Sequence, residues 1–460
     1  MSIFRKHFPI LPTSQFLTDA KPIGTRYLPP VVLTALIVAC VYCFSPNFRL
    51  ADTPRETSSP YAGDFIQEWL GGYIVRAGDH SRFYETTYAQ QLQHNSHLVG
   101  ITWDESRYFP IVYPPFYYLL LSPLSALSFY TASWIWTALM VSCFAMAIAL
   151  LHRSAAKPTG VFDCWRRKAI AVVPNRQRVW QTIVPWTIPA AVLFAPMVEN
   201  LSSSQKGAVC LLILTGTFLL LYKGRPYLAG LVFGLLAFKP QLTLVIAVTM
   251  MLKQQWRFVF GGATTGAVLV GLSLLVGVDV CHQYFQFAST TADYIQTSGY
   301  DLSKSHCLYG FFALLAHGEV TMAVRIATLV FAVVTIGLLS LTLQGQLKPD
   351  EPRFALQFSG LVVATVLLSS HFFTYDLVVL LLPMFLLGFA LVHRAITSRR
   401  SRWMIWILVL IYVLAGYSPR IARLSGIQMT TLLMLALLVT LMLEVRTRKS
   451  QDEPTDSLTS

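Results

Sequence analysis

Long, nearly uncharged runs of apolar residues recur along the whole chain and constrain its fold more than any other feature. Twelve of them occupy residues 28–44, 131–151, 182–199, 207–222, 227–238, 241–252, 258–277, 320–343, 354–370, 374–392, 403–417 and 426–443. Most approach the roughly 20 residues that a helix needs to cross a bilayer. Because a spanning segment must satisfy its own backbone hydrogen bonds, we predict an all-α polytopic membrane protein with a bundle of about 12 transmembrane helices.

The composition excludes a water-soluble globular enzyme. Only 12% of the 460 residues are charged and 55% are hydrophobic, whereas soluble domains have about 25% charged residues. The predicted organisation is a cytoplasmic N-terminal segment (1–27), a membrane-embedded domain (28–445) and a cytoplasmic disordered tail (446–460). No cleavable signal is apparent, so the first run is expected to remain as an anchor.

The distribution of charge predicts the orientation of the chain. With an even number of crossings both termini lie on one side, and that side carries most of the Lys and Arg, as cytoplasmic segments do. Residues 113–127 are apolar enough to cross, but a crossing there would move the basic loop 152–181 outside. We therefore expect 113–127 to form an interfacial or re-entrant helix on the outer face.

Two outer loops, 45–130 and 278–319, are too long to be simple connectors. The first contains the stretch 65–77, whose spacing predicts an amphipathic helix lying along the membrane surface. The second contains Cys281 and Cys307, and a disulfide between these two remains open. We expect the chemistry of the protein in these outer loops.

Four acidic or amide residues on the predicted outer side are candidate site residues. Asp64 precedes the 65–77 helix, where it would be either a helix cap or a general base for a substrate hydroxyl. Glu199, Asn200 and Gln205 lie in a polar hairpin between two crossings. They would either face water or line a cavity.

A second group of candidates interrupts later crossings. Lys239-Pro240-Gln241 breaks an apolar run in two, and broken membrane helices often place polar groups at binding sites. Lys239 would either extend to the lipid headgroups or hold a phosphate as a point charge. His371 and Asp376 lie between two crossings, where ionisable groups are costly, or at a solvated hairpin tip.

Several reaction classes lack their sequence signatures. The chain shows no phosphate-binding loop of the Walker type, no dinucleotide-binding glycine pattern, no serine elbow and no metal-spaced His/Cys set. We therefore expect no metal, no cofactor and no nucleic acid partner, and a substrate that is already activated.

The order of the motifs resembles glycosyltransferase family 87, a branch of the membrane-embedded GT-C superfamily. The motifs are Asp64, Tyr113-Pro114-Pro115-Phe116, Ser122-Pro123-Leu124, Asn200-Leu201 with Gln205, Lys223-Gly224-Arg225-Pro226, Ala229-Gly230, Phe238-Lys239-Pro240-Gln241 and His371 to Asp376. The resemblance covers roughly residues 28–395. Typical members have Gly-Gln where this chain has Ser204-Gln205.

The resemblance implies a GT-C-like bundle and an inverting transfer of a sugar, with mannose the family-based choice, from a polyprenyl phosphate to an acceptor hydroxyl. Asp64 would be the general base, Lys239 and Gln241 would bind the donor phosphate, and His371 would assist its departure. Tyr113, Glu199, Asn200, Gln205 and Asp376 would line the substrate cavity. The acceptor would be a glycolipid or glycan on the periplasmic face of a bacterial inner membrane.

Two other classes of membrane protein remain open. A transporter or lipid-linked-sugar flippase would share the many crossings, but the halves of this chain show no convincing repeat. An O-antigen ligase or polymerase would also use lipid-linked sugars outside, with a large late outer loop in place of the first.

Overall fold

A computed structural model describes residues 23–44, 62–156, 176–297, 301–342, 352–392 and 398–452. These residues are mainly helical and contain no strand. The α-helices are α1 (Ile23–Phe44), α2 (Phe65–Ala77), α3 (Thr86–Gln93), α4 (Ser96–Val99), α5 (Pro115–Leu121), α6 (Phe129–Ala156), α7 (Arg176–Ile183), α8 (Thr187–Leu193), α9 (Ala195–Ser202), α10 (Gly207–Tyr222), α11 (Pro226–Gly234), α12 (Pro240–Leu252), α13 (Trp256–Val276), α14 (Val278–Thr297), α15 (Leu308–Leu315), α16 (Met322–Thr342), α17 (Pro352–Leu368), α18 (Leu381–Val392), α19 (Ser398–Leu414), α20 (Ser418–Ser425) and α21 (Met429–Asp452).

The described helices support an integral membrane protein. Five helical segments are long and apolar enough to cross a bilayer: Phe129–Ala155, Trp256–Val276, Met322–Leu341, Thr374–Val392 and Met429–Thr447. Two bent pairs raise the number to as many as seven, one across α7 to α9 bent by 53° and one across α19 and α20 bent by 83°. Five shorter apolar helices coincide with the remaining predicted runs, so each of the twelve runs falls on a helix. By length and composition, five to seven of the described segments can cross a bilayer.

Helices α11 and α13 pack at backbone distance. A Cβ atom at Gly230 would lie 2.0 Å from the carbonyl oxygen of Phe258, and one at Gly261 would lie 2.1 Å from that of Tyr227. Small residues allow membrane helices to approach at backbone distance. This packing fixes α11 immediately before Lys239, where the helical run breaks.

Helix α2 differs from the expected amphipathic surface helix. Every residue from Phe65 to Gly72 is buried, and the two glycines explain why. A Cβ at Gly71 would overlap the ring of Tyr118 at 2.2 Å, and Gly72 faces the backbone of α5 at 3.1 Å. The helix is therefore part of the protein interior, which the apolar spacing alone did not indicate.

Two further expectations can be compared with the structure. Helix α5 has only seven residues, about 10 Å at 1.5 Å per residue, which is too short to cross a bilayer and agrees with a non-spanning 113–127. The predicted disordered tail begins too early, because α21 continues to Asp452. Its polar end contains good helix formers such as Arg446, Arg448 and Lys449. Residues 1–22 and 453–460 lie outside the described residues.

Candidate active site

A cavity of about 930 Å³ brings together most of the predicted site residues. Asp64, Tyr113, Gln205, Lys239, Gln241, His371 and Asp376 line it, with side chains from α2, α12, α14 and the segments 108–113 and 370–376. Glu199 and Asn200 do not belong to its lining. Residues separated by up to 312 positions in the sequence thus meet at one site.

Asp64 is held at the edge of this cavity by an unusual backbone turn. Ala62 and Gly63 both have positive φ, 57° and 53°, and a non-glycine residue in that region is strained and often found at functional sites. Asp64 occupies the N-cap position of α2, yet its side chain makes no capping hydrogen bond. Its Oδ2 instead accepts a hydrogen bond from Nε2 of Gln205, so the carboxylate is bonded to the turn before α10 and not to its own helix.

Gln205 is positioned by a second left-handed residue. Ser204 has φ of 51°, its carbonyl oxygen accepts a hydrogen bond of 2.9 Å from Trp136, and its buried hydroxyl has no partner among the described residues. A left-handed backbone favours glycine, the residue that the resemblance led us to expect where this chain has Ser204. The serine keeps the turn that directs Gln205 at Asp64, at some cost in strain.

Asn200 holds this turn in place through two hydrogen bonds to the backbone. It is fully buried, and with its amide turned to satisfy both ends it donates to the carbonyl oxygen of Gln205 at 3.1 Å and accepts from the backbone NH of Gly207 at 2.9 Å. Asn200 is thus a structural support of Gln205. Glu199, on the same helix α9, is partly buried and is not among the residues that line the cavity.

The electrostatic environment suits Asp64 to proton transfer. Burial raises its pKa to about 6, an effect that the nearby positive charge of Lys206 partly opposes. A general base works best when its pKa lies near the working pH. Oδ1 of Asp64 makes no hydrogen bond to the described residues, so one carboxylate oxygen is left for a substrate.

Lys239 faces Asp376 on another wall of the cavity. Its Nζ lies 2.5 Å from Oδ1 of Asp376, and both side chains are about 7% exposed or less. The turn Leu235–Phe238 and Pro240 at the first position of α12 interrupt the helix on either side of Lys239. The lysine therefore points into a shared polar site, and the alternative of an extension to the headgroups is wrong.

His371 completes the polar lining near Lys239. Its Nε2 lies 3.2 Å from Nε2 of Gln241, and its Nδ1 lies 3.2 Å from Oγ of Ser370. Burial lowers the pKa of His371, which favours the neutral ring. A neutral ring that accepts from Gln241 carries its proton on Nδ1, beside Ser370.

A short segment, 303–307, fastens the loop that carries His371 and Asp376. The backbone NH of His306 donates to the carbonyl oxygen of Phe372 at 2.7 Å, and its Nε2 lies 3.1 Å from Oγ1 of Thr374. Burial lowers the pKa of His306 to about 3, so this histidine is neutral and structural. Cys281 and Cys307 are both free thiols, and the open question of a disulfide between them is answered in the negative.

A family model for glycosyltransferase family 87 matches residues 111–370, more than half of the chain. This chain belongs to glycosyltransferase family 87. Family membership indicates a glycosyltransferase and speaks against the transporter and flippase alternatives. Neither the curated proteins nor the solved structures give a match.

The region matched by the family 87 model contains Tyr113, Gln205, Lys239 and Gln241. Asp64 precedes it, and His371 and Asp376 follow its end. Their connection to the family region is geometric: Asp64 bonds to Gln205, and Asp376 pairs with Lys239. Among the described residues no group of three or more His, Cys, Asp or Glu side chains could hold a metal ion.

A fully buried ion pair next to Asp64 was not predicted from the sequence. Nζ of Lys206 contacts Oε1 of Glu68, both at 1% exposure or less, and the hydroxyl of Tyr117 donates to the other Glu68 oxygen at 2.9 Å. Lys206 also lies 4.3 Å above the ring of Tyr113. The available signal was a lone glutamate inside an apolar helix, one turn after Asp64, because an ionisable group there needs a partner.

Proposed function

We propose that this family 87 protein transfers a sugar from a polyprenyl phosphate donor to an acceptor hydroxyl in one inverting displacement. The observation that carries the proposal is that Asp64 and the Lys239–Asp376 pair line the same cavity. An anomeric displacement needs a base near the attacking hydroxyl and positive charge near the departing phosphate. The cavity supplies both kinds of group.

Asp64 acts on the acceptor side. Its carboxylate takes the proton of the acceptor hydroxyl while that oxygen forms a bond to the anomeric carbon of the donor. Gln205 holds Oδ2 of Asp64 and so fixes the direction of the base. A pKa of about 6 leaves Asp64 mostly ionised at neutral pH and basic enough to accept the proton.

Lys239, Gln241 and His371 act on the donor side. As the bond between the anomeric carbon and the phosphate oxygen breaks, its electron pair goes to the phosphate. Lys239 balances the developing charge as a point charge, and Asp376 holds its ammonium group in place until the donor arrives. The amide of Gln241 and the ring of His371, 3.2 Å apart at their nitrogens, then turn to donate to phosphate oxygens.

The membrane arrangement of the proposal follows the charge distribution. All twelve helical runs would cross or enter the bilayer, with both termini cytoplasmic and the cavity open to the periplasm of a bacterial inner membrane. Helices α13 and α16 would face lipid, because only 22% and 17% of their most apolar stretches are buried inside the protein. The lipid tail of the donor would reach the cavity from the bilayer. Mannose is the sugar that the family resemblance favours.

The test is transfer of label from polyprenyl-phosphate-[14C]mannose by the purified full chain in lipid nanodiscs. We expect the native chain to transfer label to endogenous glycolipid and Asp64→Asn to lose at least 99% of this activity while still binding the donor. Asp104→Asn is the matched control, since Asp104 is an exposed carboxylate of the same outer region that bonds to Ser106. It should remain active.

Transfer by Asp64→Asn at the native rate would remove the base assignment. If the native chain transfers no mannose, the same assay with lipid-linked glucose, galactose and arabinose decides on the sugar. No transfer from any of these donors would overturn the proposed donor class.

A further inference from the structure

The buried pair of Glu68 and Lys206 lies next to the site, and the proposed function leaves it without a role. Both side chains are exposed by 1% or less. A buried ion pair is often no more stabilising than apolar residues of the same volume. Stability alone therefore does not explain why the fold keeps two charges there, whereas their position relative to Asp64 offers a reason.

The pair connects the same two segments as the hydrogen bond of Asp64. Glu68 lies four residues after Asp64 on α2, and residues at this spacing are neighbours on a helix surface. Lys206 directly follows Gln205, whose amide donates to Oδ2 of Asp64. The ion pair therefore fixes the distance and angle at which the amide meets the carboxylate.

Aromatic residues at the start of α5 hold the pair from a third direction. Nζ of Lys206 lies 4.3 Å from the centroid of the Tyr113 ring, which lines the cavity. The hydroxyl of Tyr117 donates to Oε2 of Glu68 at 2.9 Å. The ammonium group is thus held by three segments close to the cavity and away from bulk water, where charge interactions are weakly screened.

We infer that Glu68 and Lys206 are positioning residues for the proposed base: together they fix the direction of Asp64 and place beside it a positive charge that keeps it a carboxylate. This inference rests on the proposed function, in which Asp64 takes the proton of the acceptor hydroxyl. Neither Glu68 nor Lys206 lines the cavity. They therefore act on the reaction only through Asp64.

The charges around Asp64 agree with this role. Burial raises the pKa of Asp64 to about 6, and the strongest charged influence is that of Lys206, which lowers the pKa. Glu68 raises it, and Lys239 and Lys304 lower it with smaller effects. Because the influence of Lys206 exceeds the opposite influence of Glu68, the intact pair favours the carboxylate.

Changing one charge or both should move the protonation of Asp64 in opposite directions. Glu68→Gln removes a negative charge and keeps the lysine, so Asp64 should hold its proton less tightly. The double variant Glu68→Gln with Lys206→Met removes both charges, and Asp64 should hold its proton more tightly because the larger influence is lost. A pair that served only the stability of the fold would give no such opposition, since both variants lose the same contact.

The test measures the protonation of Asp64 without relying on transfer. The full chain in lipid nanodiscs is treated briefly with dicyclohexylcarbodiimide, which reacts with protonated carboxyl groups, at a series of pH values. Modification of Asp64 is then measured by mass spectrometry. In the native chain the modified fraction should fall by half at a pH of about 6.

The two variants should shift this midpoint with opposite signs. We expect Glu68→Gln to lower it by about one pH unit, the effect of one neighbouring charge, and the double variant to raise it by a smaller amount. The double variant contains no unpaired charge, so it should fold. The matched control is Arg400→Met with Glu444→Gln, which removes the ion pair between α19 and α21 and should leave the midpoint unchanged.

Midpoints that move in the same direction in Glu68→Gln and in the double variant, or that do not move, would overturn the inference. Transfer from the lipid-linked donor is measured separately, and the acidic limb of kcat/KM should shift with the same two signs while the donor KM stays unchanged. Transfer with unmoved midpoints contradicts the inference and leaves the proposed function intact. Opposite shifts without transfer from any donor support the action of the pair on Asp64 and remove the proposed function.

Discussion

Replacing Asp64 with asparagine should stabilise the folded protein while it removes the proposed base. Burial raises the pKa of Asp64 from 3.8 to about 6, so the folded chain binds the proton about two pH units more tightly than the unfolded chain. Each unit corresponds to 1.36 kcal/mol, which gives a cost of about 3 kcal/mol when the carboxylate is ionised. Asparagine avoids that cost and keeps an oxygen that can accept from Gln205.

The sign and the pH window of this effect follow from the same pKa. Below pH 4 the carboxyl is neutral in both states, and the native chain and Asp64→Asn should be equally stable. As the pH rises from about 4 to 6 the unfolded state ionises first, and the native chain loses stability relative to the variant. Above pH 6 the difference should level off at about 3 kcal/mol.

The measurement is the unfolding midpoint of both purified chains in detergent between pH 4.5 and 7.5. Asp104→Asn is an informative control, because hydrogen bonds from Ser106 lower the pKa of Asp104 and its replacement should not stabilise the protein at neutral pH. A difference between the native chain and Asp64→Asn that is the same at every pH would refute the reasoning. It would mean that ionisation of Asp64 is not costly.

Four other outcomes are expected. Lys206→Met should destabilise the protein by about 3–5 kcal/mol, because Glu68 is left as a buried unpaired charge; the double variant with Glu68→Gln should recover most of this loss in unfolding measurements. Ser204→Gly should stabilise it by about 1 kcal/mol, because glycine tolerates the positive φ, and a lower midpoint would contradict the strain argument. Lys239→Ala should raise the donor KM more than the acceptor KM in transfer assays. The kcat/KM of transfer should fall about tenfold per pH unit below 6 and be flat above it, as Asp64 becomes protonated.

The sequence predicted the helical class and seven of the residues that line the cavity, because apolar runs and breaks in them are local signals. The break at Lys239 and the cluster from His371 to Asp376 were visible in this way, and both line the cavity. The pairing of Lys239 with Asp376 could not be read from the sequence, since a partner 137 positions away leaves no local trace.

The burial of α2 could not be predicted from its apolar spacing. Its position depends on Gly71 fitting the ring of Tyr118 and on Lys206 neutralising Glu68, and both are contacts between distant segments. The left-handed backbone of Ser204 could not be predicted either, because it depends on the hydrogen bond between Gln205 and the distant Asp64. Glu199 was a candidate because it lies in a polar hairpin, but it is not among the residues that line the cavity.

Two neighbouring links join α2 to the turn before α10: Asp64 to Gln205 and, one helical turn later, Glu68 to Lys206. The second link constrains how the first can change during evolution. A descendant that lost only Glu68 or only Lys206 would keep an unpaired buried charge next to Asp64, so the two residues should be exchanged together or not at all. Relatives in which positions 68 and 206 are both uncharged would have reached the same base geometry through packing, and the intermediate sequences between the two solutions should be rare.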